Sequence, residues 1–183
     1  MIKRERYLNE IIDRKNNGLV KIITGIRRCG KSYILNKLFY NYLIENNVKK
    51  ENIIRFAFDF DEDLDKLDKY FPNESTKIYE SKKNSYVVNS KKFRAYINDV
   101  TNENDYFYLL LDEVQLLENF VGTLNGFLRH ENYDVYVTGS NSKMLSTDIV
   151  TEFRGRGDQI KIFPLSFKEF YDYVGLSFEE SYK

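Results

Sequence analysis

Residues 25–32 read Gly-Ile-Arg-Arg-Cys-Gly-Lys-Ser, a complete G-x-x-x-x-G-K-[ST] pattern, and no other stretch restricts the fold of this chain as strongly. The pattern has a physical meaning only between a strand and a helix, and the flanking residues supply both. Leu19 to Thr24 is a short apolar run rich in Val and Ile, and from Lys31 onward Ile34, Leu35, Leu38, Phe39, Tyr42 and Leu43 recur at helical spacing. Glycines let the turn wrap closely, so that backbone N–H groups point at phosphate oxygens while the positive end of the following helix adds to the field. The expected contact stretch is Gly25, Ile26, Arg27, Arg28, Cys29, Gly30, Lys31, Ser32 and Tyr33. Within it Lys31 is expected to reach the β- and γ-phosphates of a nucleoside triphosphate, and Ser32 to hold Mg²⁺ through its hydroxyl.

A second constellation lies downstream. Asp105 to Leu111 is a nearly continuous apolar run, the composition of a central parallel strand buried on both faces, and it ends in Asp112-Glu113. Open α/β sheets place their ligand chemistry at the carboxyl ends of such strands. Asp112 is therefore expected to hold Mg²⁺, directly or through water, and Glu113 to orient and polarise an attacking water. Asp134 to Thr138 forms the next strand and ends at Gly139-Ser140-Asn141-Ser142, where Ser140 or Asn141 could reach the γ-phosphate with a neutral hydrogen-bonding group or simply make a turn. Arg154 and Arg156 sit in a glycine-flexed turn, from which an arginine can point into a neighbouring subunit's site.

Bulk properties narrow the class. A chain of 183 residues suits one α/β domain, and 28 basic residues balanced by 28 acidic ones leave no net field to recruit nucleic acid or an anionic membrane. There is no apolar run approaching ~20 residues and no signal-like N-terminus, so a cytoplasmic location is expected and no membrane partner. One cysteine and one histidine exclude an internal disulfide and a zinc cage. Cys29 lies beside a helix N-terminus, where a thiol is either a small filler of the loop, the plainer reading, or a nucleophile of lowered pKa.

Elsewhere, Tyr7 to Asn16 reads as a helix, Ile53 to Phe58 as a second strand, and Asp59 to Asp68 as a solvated acidic loop lacking the pattern of an EF-hand. Pro72 to Ser85 reads as irregular and Val87 to Val100 as a helix. Basic and aromatic residues interleave from Lys77 to Arg94, a composition that suits single-stranded nucleic acid, but the acidic segment before it offers these lysines partners within the chain. Asn119 to Arg129 and Ile149 to Phe153 read as helices, Gln159 to Phe163 as the last strand, and Lys168 to Val174 as a terminal helix. Strands alternating with helices imply a parallel sheet covered on both faces.

Four segments together, I-T-G-I-R-R-C-G-K-S at 23–32, L-L-L-D-E-V-Q at 109–115, T-G-S-N-S at 138–142 and G-R followed by P-L-S-F-K-E-F at 155–170, resemble the prokaryotic, archaeal-type ATPases of the AAA superfamily. The resemblance implies ATP as the nucleotide, Mg²⁺ as its metal and a five-stranded parallel sheet of order 5-1-4-3-2. It further implies Asn141 or Ser140 as the first sensor and Arg156 as the arginine of the G-R element. Residues 1–165 are then the ATPase core, and 166–183 begin a helical lid or C-terminal region, since members of this family usually continue past P-L-S-F-x-E-F. A full-length form is expected to self-associate. The expected activity is Mg²⁺-dependent ATP hydrolysis coupled to a conformational task; the alternative is an ATP-gated interaction module with negligible turnover. A small-molecule kinase lacks a recognisable acceptor pocket, and no N-K-x-D element for reading guanine follows the phosphate loop.

Overall fold

The computed structural model describes residues 2, 4–81, 84–139, 152–153 and 155–174. Among the described residues seven strands form two sheets: β1 (Val20–Thr24), β2 (Ile53–Ala57), β3 (Lys77–Glu80), β4 (Ser85–Val88), β5 (Phe107–Asp112), β6 (Tyr133–Thr138) and β7 (Gly157–Lys161). The main sheet is wholly parallel in the order β2-β5-β6-β1-β7, and β3 and β4 make a separate antiparallel hairpin. Counting only the strands of the main sheet, this is the expected 5-1-4-3-2 order; the inserted hairpin is what was not foreseen.

The sheet is buried because of what its strands carry. Every residue of β1, β5 and β6 is buried. Alternate side chains leave a strand on opposite faces, so each strand feeds two cores. Ile22, Leu109, Leu111, Val135 and Val137 enter one core, with Phe93 and Ile97 of α5 (Ser90–Val100) and Leu124 and Phe127 of α6 (Phe120–Phe127). Ile23, Leu110, Tyr136 and Ile160 enter the other, with Ile11 of α1 (Glu5–Asp13) and with Ile34, Leu35, Leu38 and Phe39 of the helix after β1. That helix runs through α2 (Lys31–Tyr33), a wider π-helical stretch at Ile34–Phe39, and α3 (Tyr40–Glu45).

The middle of the chain departs from the sequence-based expectation. Pro72 to Ser85 is not irregular throughout and Val87 does not start a helix, because β3 and β4 pair Lys77 with Val88 through Glu80 with Ser85. Val87 and Val88, β-branched and buried, belong to the hairpin. The helix begins only after Asn89, whose side chain accepts from Lys91 N at 2.9 Å and Lys92 N at 3.3 Å and so caps it. The acidic stretch likewise folds into α4 (Asp61–Asp65), drawn inward by buried Leu64 and Leu67, while the Asp63 carboxylate accepts from Ala57 N at 2.8 Å. Lys77 pairs with Asp61 at 3.0 Å, Lys91 pairs with Glu74, and Lys92 and Phe93 are buried. Two lysines of the basic-aromatic run are thereby paired at the surface and Lys92 and Phe93 are buried, while Tyr79 and Tyr86 stay exposed.

The last helix among the described residues is α7 (Phe167–Val174). Its start follows a capping box: Ser166 N and Oγ donate to Glu169 Oε2 at 2.8 and 3.0 Å, and Glu169 N donates back to Ser166 Oγ at 3.2 Å. This reciprocal cap is the local reason for the S-x-x-E spacing inside P-L-S-F-K-E-F. Among the described residues no helix is long and apolar enough to cross a membrane.

Candidate functional site

Parallel register brings the carboxyl ends of the strands into one row. Ala57 lies opposite Asp112, Leu111 opposite Val137, and Ile23 opposite Thr138. The turn from Gly25 to Gly30 rises from the same edge. Gly25 has φ 153°, and a Cβ there would stand 2.3 Å from the Ile162 carbonyl oxygen and 2.7 Å from Cys29 Sγ, so only glycine fits. Gly30 and Arg28 are left-handed as well, which curls the backbone between them. Ile26, Arg27 and Arg28 are exposed on the outside of the turn. Cys29 is only 4% exposed and packs in the core under the loop, so it is filler and not an accessible thiol.

Lys31 is 5% exposed, and its ammonium crosses the loop to donate to the Gly25 and Ile26 carbonyls at 3.1 and 3.0 Å. Ser32 follows, exposed, in the first turn of the helix. Asn36, four residues on and hence on the same side of that helix, donates to Asp112 Oδ2 at 3.2 Å. Thr138 Oγ1 donates to Asp112 Oδ1 and accepts from Glu113 N at 3.2 Å, joining the ends of β5 and β6. Glu113 itself adopts φ 52°, ψ 45°, a left-handed backbone that costs a non-glycine residue roughly 1–2 kcal/mol. That turn lifts its carboxylate off the strand direction, and Gln115 Nε2 donates to it. Backbone strain held in place by neighbouring hydrogen bonds is a mark of functional sites.

Three contributors escaped sequence reasoning. Thr138 was legible only as a strand end, and Asn36 only as a polar helix position. Asp59, read as part of an acidic loop, stands two residues past β2, beside Asp112, whose carbonyl accepts from Phe58 N at 3.1 Å. Burial pushes the Asp59 carboxyl above its ordinary value, and the neighbouring Asp112 and Glu113 push it further. Gln115 closes the segment L-L-L-D-E-V-Q, and its hydrogen bond to the Glu113 carboxylate is the structural reason for its place there. Among the described residues no group of three His, Cys, Asp or Glu is arranged to hold a metal by itself.

Not every predicted residue converges. The Arg156 carbonyl accepts from Val20 N at 2.8 Å, which sets Arg156 at the amino ends of β1 and β7. A strand of five residues spans about 17 Å, so Arg156 lies at the opposite end of the sheet from the phosphate loop of its own chain. It is exposed there. Ser140, Asn141 and Arg154 lie outside the described residues, as do Lys82, Lys83 and most of the expected helix from Ile149 to Phe153.

Beside the loop a cavity of about 880 Å³ is lined by Ile2, Arg4, Tyr7, Phe163, Pro164 and Tyr173 among others. It adjoins the loop through Tyr33, whose hydroxyl donates to the Ile2 carbonyl at 2.9 Å, and through Arg4, which donates to the Cys29 carbonyl at 3.1 Å. Its size falls within the usual range for a bound small molecule.

A glycine-rich turn on β1, paired carboxylates at the end of β5 and the 5-1-4-3-2 parallel sheet define an AAA-type P-loop ATPase domain. The family model of the AAA domain matches residues 17–171, and the chain belongs to that family. An uncharacterised protein of Haemophilus influenzae is 33% identical over 171 residues, covering 93% of this chain and 37% of the relative. One of Methanocaldococcus jannaschii is 32% identical over 188 residues, covering 98% and 34%. The chain thus spans little more than a third of the length of these relatives. Among solved structures, Cdc6p from Pyrobaculum aerophilum superposes with a TM-score of 0.55 at 13% identity, over 93% of this chain and 48% of that one. A DNA polymerase III gamma subunit-related protein from Thermotoga maritima gives 0.54 at 12%, over 92% and 48%. AMPPCP-bound DnaA from Aquifex aeolicus gives 0.50 at 16%, over 94% and 49%. At these identities the likeness is one of fold.

Proposed function

We propose that this domain binds ATP with Mg²⁺ and hydrolyses it. The observation that carries the reading is the strained Glu113, whose backbone N–H is held by Thr138 and whose carboxylate is held by Gln115, one residue beyond a buried aspartate and across the strand ends from a complete phosphate loop. Gly25 to Tyr33 wrap the triphosphate with their N–H groups, and Lys31 exchanges two neutral carbonyls for the β- and γ-phosphates. The base and ribose enter the cavity between the N-terminal segment and Phe163. Ser32 and Asp112 present hard oxygen donors, which fit Mg²⁺, and the metal when bound compensates charge on the β- and γ-phosphate oxygens. Glu113 takes the proton of the attacking water as its oxygen bonds the γ-phosphorus and the bond from that phosphorus to the β–γ bridging oxygen breaks, releasing ADP and phosphate, and Asn141 or Ser140 supplies a neutral hydrogen bond near the γ-phosphate.

Arg156, at the far end of its own sheet, serves the site of a neighbouring molecule and neutralises phosphate charge there. Turnover per chain should then rise with protein concentration; a constant specific activity across concentrations at which association occurs would remove Arg156 from the mechanism. A DNA-bound protein among the structural relatives raises nucleic acid as a partner of the complete protein, but the absence of net charge and the pairing of Lys77 and Lys91 within the chain do not favour it in this domain.

Calorimetric titration with Mg·ATP and steady-state release of phosphate test the assignment. Binding together with release that stops on adding EDTA is the expected result. No heat of binding up to millimolar Mg·ATP would overturn it, and binding without any release would leave the domain an ATP-gated module.

A further inference from the structure

Arg4 stands outside every motif recognised in the sequence, yet the fold buries it to 5% exposure at the meeting point of three elements. Its Nη1 donates to the Cys29 carbonyl at 3.1 Å and its Nη2 to the Phe163 carbonyl at 2.6 Å, while its Nε stands 2.9 Å from Glu169 Oε1 in an ion pair without hydrogen-bond alignment. The guanidinium lies over the Tyr7 ring, 4.6 Å from its centre, and the Tyr7 hydroxyl in turn accepts from Phe163 N at 3.3 Å. Glu169 divides its two oxygens: Oε2 caps the start of α7, while Oε1 meets Arg4.

The contact with Cys29 matters because of peptide geometry. The Cys29 carbonyl and the Gly30 N–H belong to one planar trans unit and point in opposite directions. A cation pulling on that carbonyl therefore turns the Gly30 N–H away from Arg4 and polarises it toward an anion on the other side of the peptide. Gly30, left-handed at φ 95°, has no preferred orientation of its own to hold that peptide, and Arg4 Nη1 comes within 3.6 Å of where its Cβ would be. A buried guanidinium with charge-assisted bonds is stiff, so whatever moves it moves all of its partners.

We propose that Arg4 is a positioning residue for the phosphate loop that couples loop occupancy to the seating of α7, through Cys29 on one side and Glu169 on the other. The proposal rests on the reading of Gly25 to Tyr33 as the triphosphate site and adds a route by which that site communicates with the C-terminal side of the domain. Coupling of this kind is reciprocal: what Mg·ATP does to α7, the Arg4–Glu169 contact does to Mg·ATP affinity.

The test uses the whole 183-residue chain, measuring Mg·ATP affinity by calorimetry and hydrogen exchange of the Phe167–Val174 amides with and without nucleotide. In the parent, Mg·ATP should slow exchange across α7. Arg4→Ala should weaken binding by about 10- to 100-fold, within the usual span of coupling between sites, and abolish the nucleotide-dependent slowing. Glu169→Gln should weaken binding severalfold in the parent and have no further effect in Arg4→Ala. An Arg4→Ala chain that melts cooperatively but binds Mg·ATP within twofold of the parent, or still shows slowed α7 exchange, overturns the proposal. Should Arg4→Ala fail to fold, Glu169→Gln decides, since Arg4 keeps its loop contact there: persistence of the slowing overturns the coupling, and its loss supports it. A parent chain that binds no Mg·ATP overturns the site reading and this proposal together, whereas a parent that binds while the variants match it overturns the proposal alone.

Discussion

The two ends of the same sheet each carry a lysine and an aspartate, and they treat them in opposite ways. At the amino ends, Lys21 of β1 is fully buried and meets Asp134 of β6 directly; Tyr136 Oη donates to that carboxylate at 2.7 Å and Asn16 N at 2.9 Å. At the carboxyl ends, among the described residues, the Lys31 ammonium meets only the carbonyls of its own loop, and the Asp112 carboxylate only Thr138 and Asn36. Among the described residues neither is in an ion pair. One end is an electrostatically closed network and the other keeps a cation and a carboxylate in place with neutral partners, which leaves their charge for a charged ligand. A cation balanced within the chain is a structural part; one held ready but unbalanced is part of a site.

The largest effect is expected at the open end. Glu113→Gln should slow phosphate release by about 10²- to 10⁴-fold, the range for losing a positioned base, while Mg·ATP affinity stays within a few-fold. Loss of binding with unchanged turnover per bound ATP would contradict the role given to Glu113. At the closed end, Lys21→Ala should lower unfolding stability by roughly 3–5 kcal/mol, because the Asp134 charge is left buried, and should leave nucleotide affinity of the folded fraction alone. Burial pulls the Lys21 ammonium below its ordinary value despite Asp134, so replacing both groups by Lys21→Met with Asp134→Leu should cost less than Lys21→Ala by itself. A double variant less stable than the single would mean that the pair stabilises the fold outright. Urea titrations read both.

Lys31→Ala reverses the pattern. It should weaken Mg·ATP binding by about 2–3 kcal/mol, the scale of hydrogen bonds to charged groups, yet shift stability by no more than about 1 kcal/mol because its partners are neutral. Equal affinity of variant and parent would sink the phosphate assignment, and a stability loss as large as that of Lys21→Ala would erase the distinction between the two ends. The smallest effect is at Asp59. Its carboxyl titrates above the ordinary 3.8 in the folded chain, so ionising it opposes folding. Asp59→Asn should therefore stabilise the chain at neutral pH by about 0.5 kcal/mol or less, with the gain shrinking as pH falls through the raised value and gone below the ordinary one. Thermal midpoints across pH 3 to 8 check the sign; a gain that grows toward acid would place Asp59 outside the field of Asp112 and Glu113.

Much of the site was legible because short spacings carry it. The phosphate loop needs glycines where the backbone is left-handed or crowded, a lysine and a hydroxyl at set offsets, and an apolar strand in front, all of them local requirements. Asp112 and Glu113 were legible because a strand buried on both faces is apolar until the residue at which it emerges. Asn36, Thr138 and Asp59 were not, since each acts on a carboxylate 76, 26 or 53 positions away and nothing in their own neighbourhoods distinguishes them from ordinary polar residues. The hairpin was missed for a related reason: Lys77 to Val88 is too polar and too short to show alternation clearly, and it is the burial of Val87 and Val88 and the Asn89 cap that separate it from α5.

What this sequence determined by itself is the set of local geometries: a tight glycine turn between β1 and the following helix, strands apolar enough to lie between two layers of helices, and a capped start for α7. Those follow from steric limits at glycine, from the two-residue repeat of a strand and from reciprocal capping, none of which needs a distant partner. Only the tertiary structure decided which of its charges are balanced, that Lys21 is paired while Lys31 is not, that Arg156 faces away from its own loop, and that Arg4 ties the loop to α7. The reason is that an ion pair or a buried guanidinium is defined by what stands a few ångströms away, and in a parallel sheet those neighbours come from strands that the chain visits tens of residues apart.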